Sequence, residues 1–367
     1  MKKPEASRAK RLARRIYSGL CGARVWANGL ASSPSKIAVH YGGARTGGAG
    51  GPRVKVRRLR EFFPEAGWGF NLVYTLSSAP YLSGAALARL RRRGTPIVHN
   101  QNGTFFPAWY GGDWRAENRR MARAFHAADH VFFQSEYCRR AAHKHLGERE
   151  GTGEILYNAV DTDCFTLSER KPEADGFKFL LTGKIDQHLW YRVEQSIRGL
   201  RVAIDIGGEV ILIIAGLLDA DVRVKADELI QSLSLTGRVK FAGPYTQSSA
   251  PSVYQMADAY IMMKHQDPCP NVVIEALSTG LPVLFSNSGG VAELVGARAG
   301  IGLNCEESWE ESLAPSPEDI GKGMINIIAD HEQMKIEARQ RAVSRFGIHH
   351  WIQRHCEVFT QLLNSKP

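Results

Sequence analysis

From residue 36 onward, short apolar runs of strand length alternate with stretches whose apolar positions recur at helical spacing. The runs 36–40, 71–76, 96–99, 130–134 and 154–157 predict one set of strands, and 178–181, 210–215, 238–242, 258–263, 282–286 and 300–304 a second. Helical segments separate nearly all of them, which is the pattern of β-α-β units in parallel sheets. Between the two sets lies a polar stretch, 166–176, with Ser168, Glu169, Arg170, Lys171 and Pro172, which reads as a linker. The pattern predicts an α/β protein with two doubly wound domains, 36–165 and 177–331. Residues 1–35 read as a basic N-terminal extension. Residues 332–367 read as helices packing back towards the first domain.

Local signals support individual helices. Gly51-Pro52 starts one in which Val56, Leu59, Phe62 and Phe63 share a face. A helix over 271–279 follows Pro270 and is closed by Gly280, with Pro282 beyond. In 8–20, Ala9, Leu12, Ala13, Ile16, Tyr17 and Leu20 form one stripe, with Lys10, Arg11, Arg14 and Arg15 largely outside it. This segment reads either as a peripheral membrane contact or as a solvated tail.

Composition narrows the class. The chain has 367 residues, 44% hydrophobic and 23% charged, as in ordinary globular proteins. Its longest apolar run, 210–218, is far short of the roughly 20 residues of a membrane helix. No apolar stretch follows the basic start, so no secretory signal is expected. Six scattered cysteines without a C-x-x-C pair read as reduced thiols. The expected location is the cytoplasm, with the inner membrane face as the one peripheral site. Of the net charge of +10, residues 1–60 carry +14 (15 Lys/Arg against Glu5), which leaves −4 for the rest. Charge concentrated at one end does not describe a specific nucleic-acid surface spread over the fold.

Three segments carry polar chemistry. The turn after the first strand holds Gly42, Gly43, Gly47, Gly48, Gly50 and Gly51. Its backbone N–H groups can cradle a phosphate or a sugar, or it is a flexible surface loop. It matches neither G-x-G-x-x-G in the required place nor a P-loop. Asp267 precedes the helix that begins at Asn271 and Val272, and Glu275 lies inside that helix. Two carboxylates beside one helix N-terminus suit a hydroxyl-rich, anionic ligand. His99 ends a strand and Asn102 follows it. Strand C-terminal ends line the ligand crevice of a doubly wound sheet. Trp109 and Tyr110 beyond them can stack on a sugar or simply pack an apolar loop. The pairs Asp161-x-Asp163 and Asp219-x-Asp221 imitate a metal-binding D-x-D, but fall at a domain junction and a helix start.

The segment 267–296, DPCPNVVIEALSTGLPVLFSNSGGVAELVG, resembles the signature region of glycosyltransferase family 4, also called glycosyl transferases group 1. Thr279-Gly280-Leu281-Pro282-Val283 and Gly289-Gly290 match its strand and glycine loop. Asn158-Ala-Val-Asp161 with Phe165 resembles its domain-junction motif. The resemblance implies the GT-B architecture, two facing Rossmann-like domains with an interdomain cleft. It implies a retaining, metal-independent, hexosyltransferase-like enzyme with a nucleotide diphosphate sugar as donor substrate and no cofactor. The acceptor would be a sugar or a lipid-linked molecule, in glycan, polysaccharide or glycolipid synthesis. His99, Lys184, Arg192 and Asp267 become the expected catalytic set. Gly42, Gly43, Asn271, Val272 and Glu275 become donor-binding, and Asn102, Trp109 and Tyr110 acceptor-side. The sequence departs from the family in having Asp267 for a glutamate and Leu189 where a diphosphate-binding lysine is usual, so Arg192 is the nearest replacement. A catalytically weak nucleotide-binding scaffold and a GT-B nucleotide-sugar epimerase are the rival readings.

Overall fold

The computed structural model describes residues 2–5, 7–28, 36–47, 51–169 and 176–365. Gly48, Gly50 and residues 170–175 of the expected linker lie outside the described residues. The chain divides into two compact units: residues 2–158 with the segment from His349 on, and residues 159–348.

The first unit runs α1 (Arg8–Ala27), β1 (Val39–His40), α2 (Gly51–Phe62), β2 (Leu72–Leu76), α3 (Gly84–Arg92), β3 (Ile97–Gln101), α4 (Trp114–Ala127), β4 (His130–Phe133), α5 (Glu136–Leu146) and β5 (Thr152–Ile155). The five strands pair in parallel in the order β1-β2-β3-β4-β5. Period-2 alternation puts Val73, Ile97, Val131 and Phe133 on one face, against Leu87 and Leu90 of α3, Phe125 of α4 and Leu146 of α5. Helix starts are fixed locally. The side chains of Ser83, Asp113 and Ser135 accept the backbone N–H of Ala86, Ala116 and Cys138, each cap worth about 1 kcal/mol.

The second unit runs β6 (Phe177–Ile185), α6 (Trp190–Asp205), β7 (Val210–Leu218), α7 (Ala220–Ser232), β8 (Val239–Gly243), α8 (Ala250–Tyr254), β9 (Ala259–Met262), α9 (Asn271–Ser278), β10 (Val283–Ser286), α10 (Val291–Val295), β11 (Gly300–Leu303), α11 (Pro317–Ala329) and α12 (His331–Phe346). Its six strands are also parallel, in the order β11-β10-β9-β6-β7-β8. Strand order therefore reverses between β6 and β9, the topological switch point of a doubly wound sheet. Phe179, Leu181, Leu212, Ile214 and Ile261 form its core with Ile197 and Leu200 of α6 and Met324 of α11.

Four sequence expectations change. The reversal that defines double winding is present only in the second sheet; the described strands of the first follow chain order. Helix α1 is part of the first unit, burying Cys21 and Val25, instead of forming a separate extension. The C-terminal helices divide: α12 belongs to the second unit, and α13 (Ile348–Asn364) to the first. There Phe359 meets Phe63 and Tyr74, and His355 packs against Tyr74 and Phe132. Phe62 does not share the buried face of α2, being 45% exposed, whereas Phe63 is buried.

Candidate active site

In the second unit the polar side chains gather where β6 and β9 end, beside the strand-order reversal. Helix α6 begins just after β6, and the first turn of α6 carries Tyr191 and Arg192. Arg192 is only 4% exposed. Its Nη2 donates to the Thr182 carbonyl at 3.3 Å and approaches Met262 Sδ at 3.8 Å, while its Nε has no hydrogen-bond partner. No carboxylate among the described residues pairs with it. A buried cation without an acid is costly, and a bound anion would supply the missing charge. Gly183, at φ +143°, supplies a backbone conformation that side-chain-bearing residues rarely adopt, and it lies beside the guanidinium. Lys184, the next residue, is exposed.

The loop after β9 is held in a particular shape. Gln266 has a left-handed φ of +49°, a strain of order 1–3 kcal/mol for a side-chain-bearing residue. Its N–H donates to Ser288 Oγ at 3.1 Å, and Gly290 N–H donates to the Asp267 carbonyl at 2.9 Å. The Asp267 carboxylate accepts Lys264 Nζ at 2.6 Å and the Cys269 N–H at 3.2 Å. Asp267 is thus half of an ion pair, with Lys264 set beside it. Asn271 opens α9 with its Oδ1 buried and without a hydrogen-bond partner among the described residues, and Val272 follows it, half-buried.

Glu275 lies in the second turn of α9 and is 6% exposed. Its Oε2 accepts the Tyr254 hydroxyl at 2.9 Å, and its Oε1 accepts Gln247 Nε2 at 3.4 Å. Burial, and then the nearby Glu275 carboxylate, hold the Tyr254 phenol well above its ordinary pKa, so it remains a donor. Burial likewise raises Tyr245 and Tyr260, and Tyr260 shares a 2.8 Å hydrogen bond with Thr182 Oγ1. Arg192, Glu275 and the three tyrosines form one polar layer over the strand ends. Sequence reasoning missed Lys264, Thr182, Tyr245, Tyr254 and Tyr260. Only Lys264 carried a usable signal, its three-residue spacing from Asp267.

In the first unit His99 is fully buried. Its Nδ1 meets Thr75 Oγ1 at 2.8 Å and its Nε2 meets Gln101 Oε1 at 3.0 Å. Burial pushes its pKa down to about 4. Both ring nitrogens are used, so His99 is a neutral, internally bonded histidine within its strand. Asn102 is half-buried, bonding Ser77 Oγ through its N–H and Ser78 Oγ through its side chain. Trp109 stacks on Phe105 and Tyr110 meets it edge to face in an aromatic loop, and Tyr110 is buried. Gly42 and Gly43 have φ of +59° and +88°. A Cβ on Gly43 would lie 2.4 Å from Cys21 Sγ, so this turn is covered by α1. The Asp161 carboxylate accepts the N–H groups of Asp163 and Cys164, a local turn that accounts for that D-x-D.

Two α/β units of this kind, with a polar site at the switch point of the second, define a GT-B-class protein, and solved structures agree. Anabaena HepE in complex with UDP superposes with a TM-score of 0.65 at 19% identity, covering 80% of this chain and 79% of that one. A glycosyltransferase from Rickettsia africae superposes at 0.64 and 13% identity, covering 99% and 98%. The model for glycosyltransferase family 4 matches residues 34–164, and that for glycosyl transferases group 1 matches 189–341. The chain belongs to this family of glycosyltransferases. Sucrose-phosphate synthase of Spinacia oleracea is 23% identical over 145 residues, which is 38% of this chain but only 13% of that protein.

Proposed function

We infer that the protein moves a sugar from a nucleotide diphosphate sugar to a sugar or lipid-linked acceptor, with retention and without a metal. The buried Arg192, without a carboxylate partner among the described residues, is the observation that carries this reading. As the glycosidic bond breaks, negative charge grows on the leaving diphosphate, and a preorganised guanidinium stabilises it without reorganisation. Lys184 adds a second cation. Glu275, oriented by Tyr254, meets the ribose hydroxyls. Asp267, neutralised by Lys264, contacts the sugar. HepE has been solved with UDP and with UDP-glucose, so a uridine donor is the first to try.

The test is a thermal-shift series with uridine, guanosine and adenosine diphosphate sugars, followed by turnover. The donor that raises the midpoint should be consumed only when an acceptor is added, and the product should keep the donor's anomeric configuration by NMR. Binding without turnover on any acceptor would favour the weak scaffold, a reading that Leu189 and Asp267 motivate. Consumption without acceptor would favour an epimerase.

A further inference from the structure

Helix α1 has two faces with different fates. One is bound to the first unit: Tyr17 Oη donates to the Gly43 carbonyl at 2.8 Å, and Arg14 makes a two-pronged contact to Glu117 at 3.1 and 3.0 Å. Ser18 bonds the Tyr81 carbonyl, and Cys21 and Val25 are buried. Asn28, just past the helix, exchanges two hydrogen bonds with the Phe70 backbone. The opposite face carries Leu12, Ile16 and Leu20, which are 60%, 61% and 64% exposed. At four-residue spacing they form one row, roughly 6 Å apart along the axis. Tyr17, counted from sequence as part of this stripe, turns inward instead.

Charge surrounds the row. The helix holds six basic residues and no acid. Glu5 is taken by Arg11 and Glu117 by Arg14. Arg8, Lys10, Arg15 and Arg24 are exposed, with no acidic partner among the described residues. At 100° per residue, Arg8 and Arg15 lie on one side of the row and Arg24 and Lys10 on the other. Trp26, 48% exposed at the far end, stacks under Arg89 at 4.1 Å.

We propose that this outward face of α1 lies on an anionic lipid bilayer, with Leu12, Ile16 and Leu20 in the headgroup–acyl boundary and the arginines at the phosphates. The flanking cations complement such a surface on both sides of the row. A single row is too narrow for a stable protein interface, which takes about 800 Å² per partner. Because the inner face is anchored, the stripe is not a core face awaiting a partner within this unit. The inference goes beyond sugar transfer and stands without it.

The test is flotation of the full chain with vesicles of phosphatidylcholine alone and of phosphatidylcholine with phosphatidylglycerol. The protein should float with the anionic vesicles only, and added salt should weaken this. The combined Leu12→Gln, Ile16→Gln and Leu20→Gln variant should lose flotation. Each of Arg8, Lys10, Arg15 and Arg24 changed to Gln should lower partitioning by roughly fivefold. The variants should keep the parent's thermal midpoint and its affinity for UDP, so failure here is separable from failure of the donor site. The proposal is overturned if the parent floats with neither vesicle, or if the triple variant floats equally well. It is also overturned if the triple variant merely turns a dimer into a monomer while the parent ignores vesicles.

Discussion

The Tyr254 hydroxyl donates to Glu275 Oε2 at 2.9 Å, fixing a buried carboxylate on the second turn of α9. Glu275→Gln keeps the shape and an acceptor for Tyr254 but removes the charge. Charge-assisted hydrogen bonds are worth about 1.5–3 kcal/mol, so UDP affinity should fall by roughly ten- to a hundredfold with the fold intact. Calorimetry checks this. Undiminished UDP binding would remove α9 from the donor site. Asp267→Asn should instead weaken a nucleotide sugar more than the free nucleotide.

Arg192 offers a different signature. Its buried guanidinium has backbone and sulfur contacts but no acid partner among the described residues. Replacing an uncompensated buried charge by an apolar side chain is often neutral or stabilising. Arg192→Met should therefore hold or raise the thermal midpoint while abolishing binding of a nucleotide diphosphate. A variant that melts earlier yet binds normally would make Arg192 structural.

Gly289 sits where the β10–α10 turn meets the Asp267 loop. At φ +81°, a Cβ on it would lie 2.7 Å from Gln266 Cα. Gly289→Ala should cost about 1–3 kcal/mol and displace Asp267, impairing the nucleotide sugar more than the nucleotide. Unchanged thermal melts would show that the two loops are less tightly locked.

Turnover should survive exhaustive chelation, because the diphosphate charge is assigned to Arg192 and Lys184. Complete loss of activity, restored by magnesium or manganese, would mean that the diphosphate site is misassigned.

Acid should weaken the first unit. Burial holds His99 at about 4 and His355 at about 3, against about 6.5 for each in an unfolded chain. Below pH 6.5 the unfolded state binds protons that the native state refuses. Stability should fall between pH 6.5 and 4 by up to about 1.4 kcal/mol per pH unit for each histidine, and be flat above that window. Melts across this range check the slope, and His99→Gln should remove its share while leaving that of His355.

Hydrophobic pattern alone determined that eleven strands alternate with helices, because period 2 and period 3.6 are properties of the local chain. It placed Glu275 inside a helix bounded by Pro270 and Gly280, and Gly42-Gly43 at a turn that takes positive φ. It set Arg192 ten residues beyond Thr182, but not the approach of its guanidinium to the Thr182 carbonyl. That contact depends on how α6 packs over β6, as the Tyr254–Glu275 bond depends on how α8 packs beside α9. Strand order was equally out of reach: a reversal between β6 and β9 is a choice among long-range pairings that local periodicity does not encode. Burial decided the rest. His99 and Tyr17 read as polar or amphipathic residues open to function, and only tertiary packing turned one inward onto Thr75 and Gln101 and the other onto Gly43. The same packing left Leu12, Ile16 and Leu20 in solvent, because a helix anchored along one face must present the other.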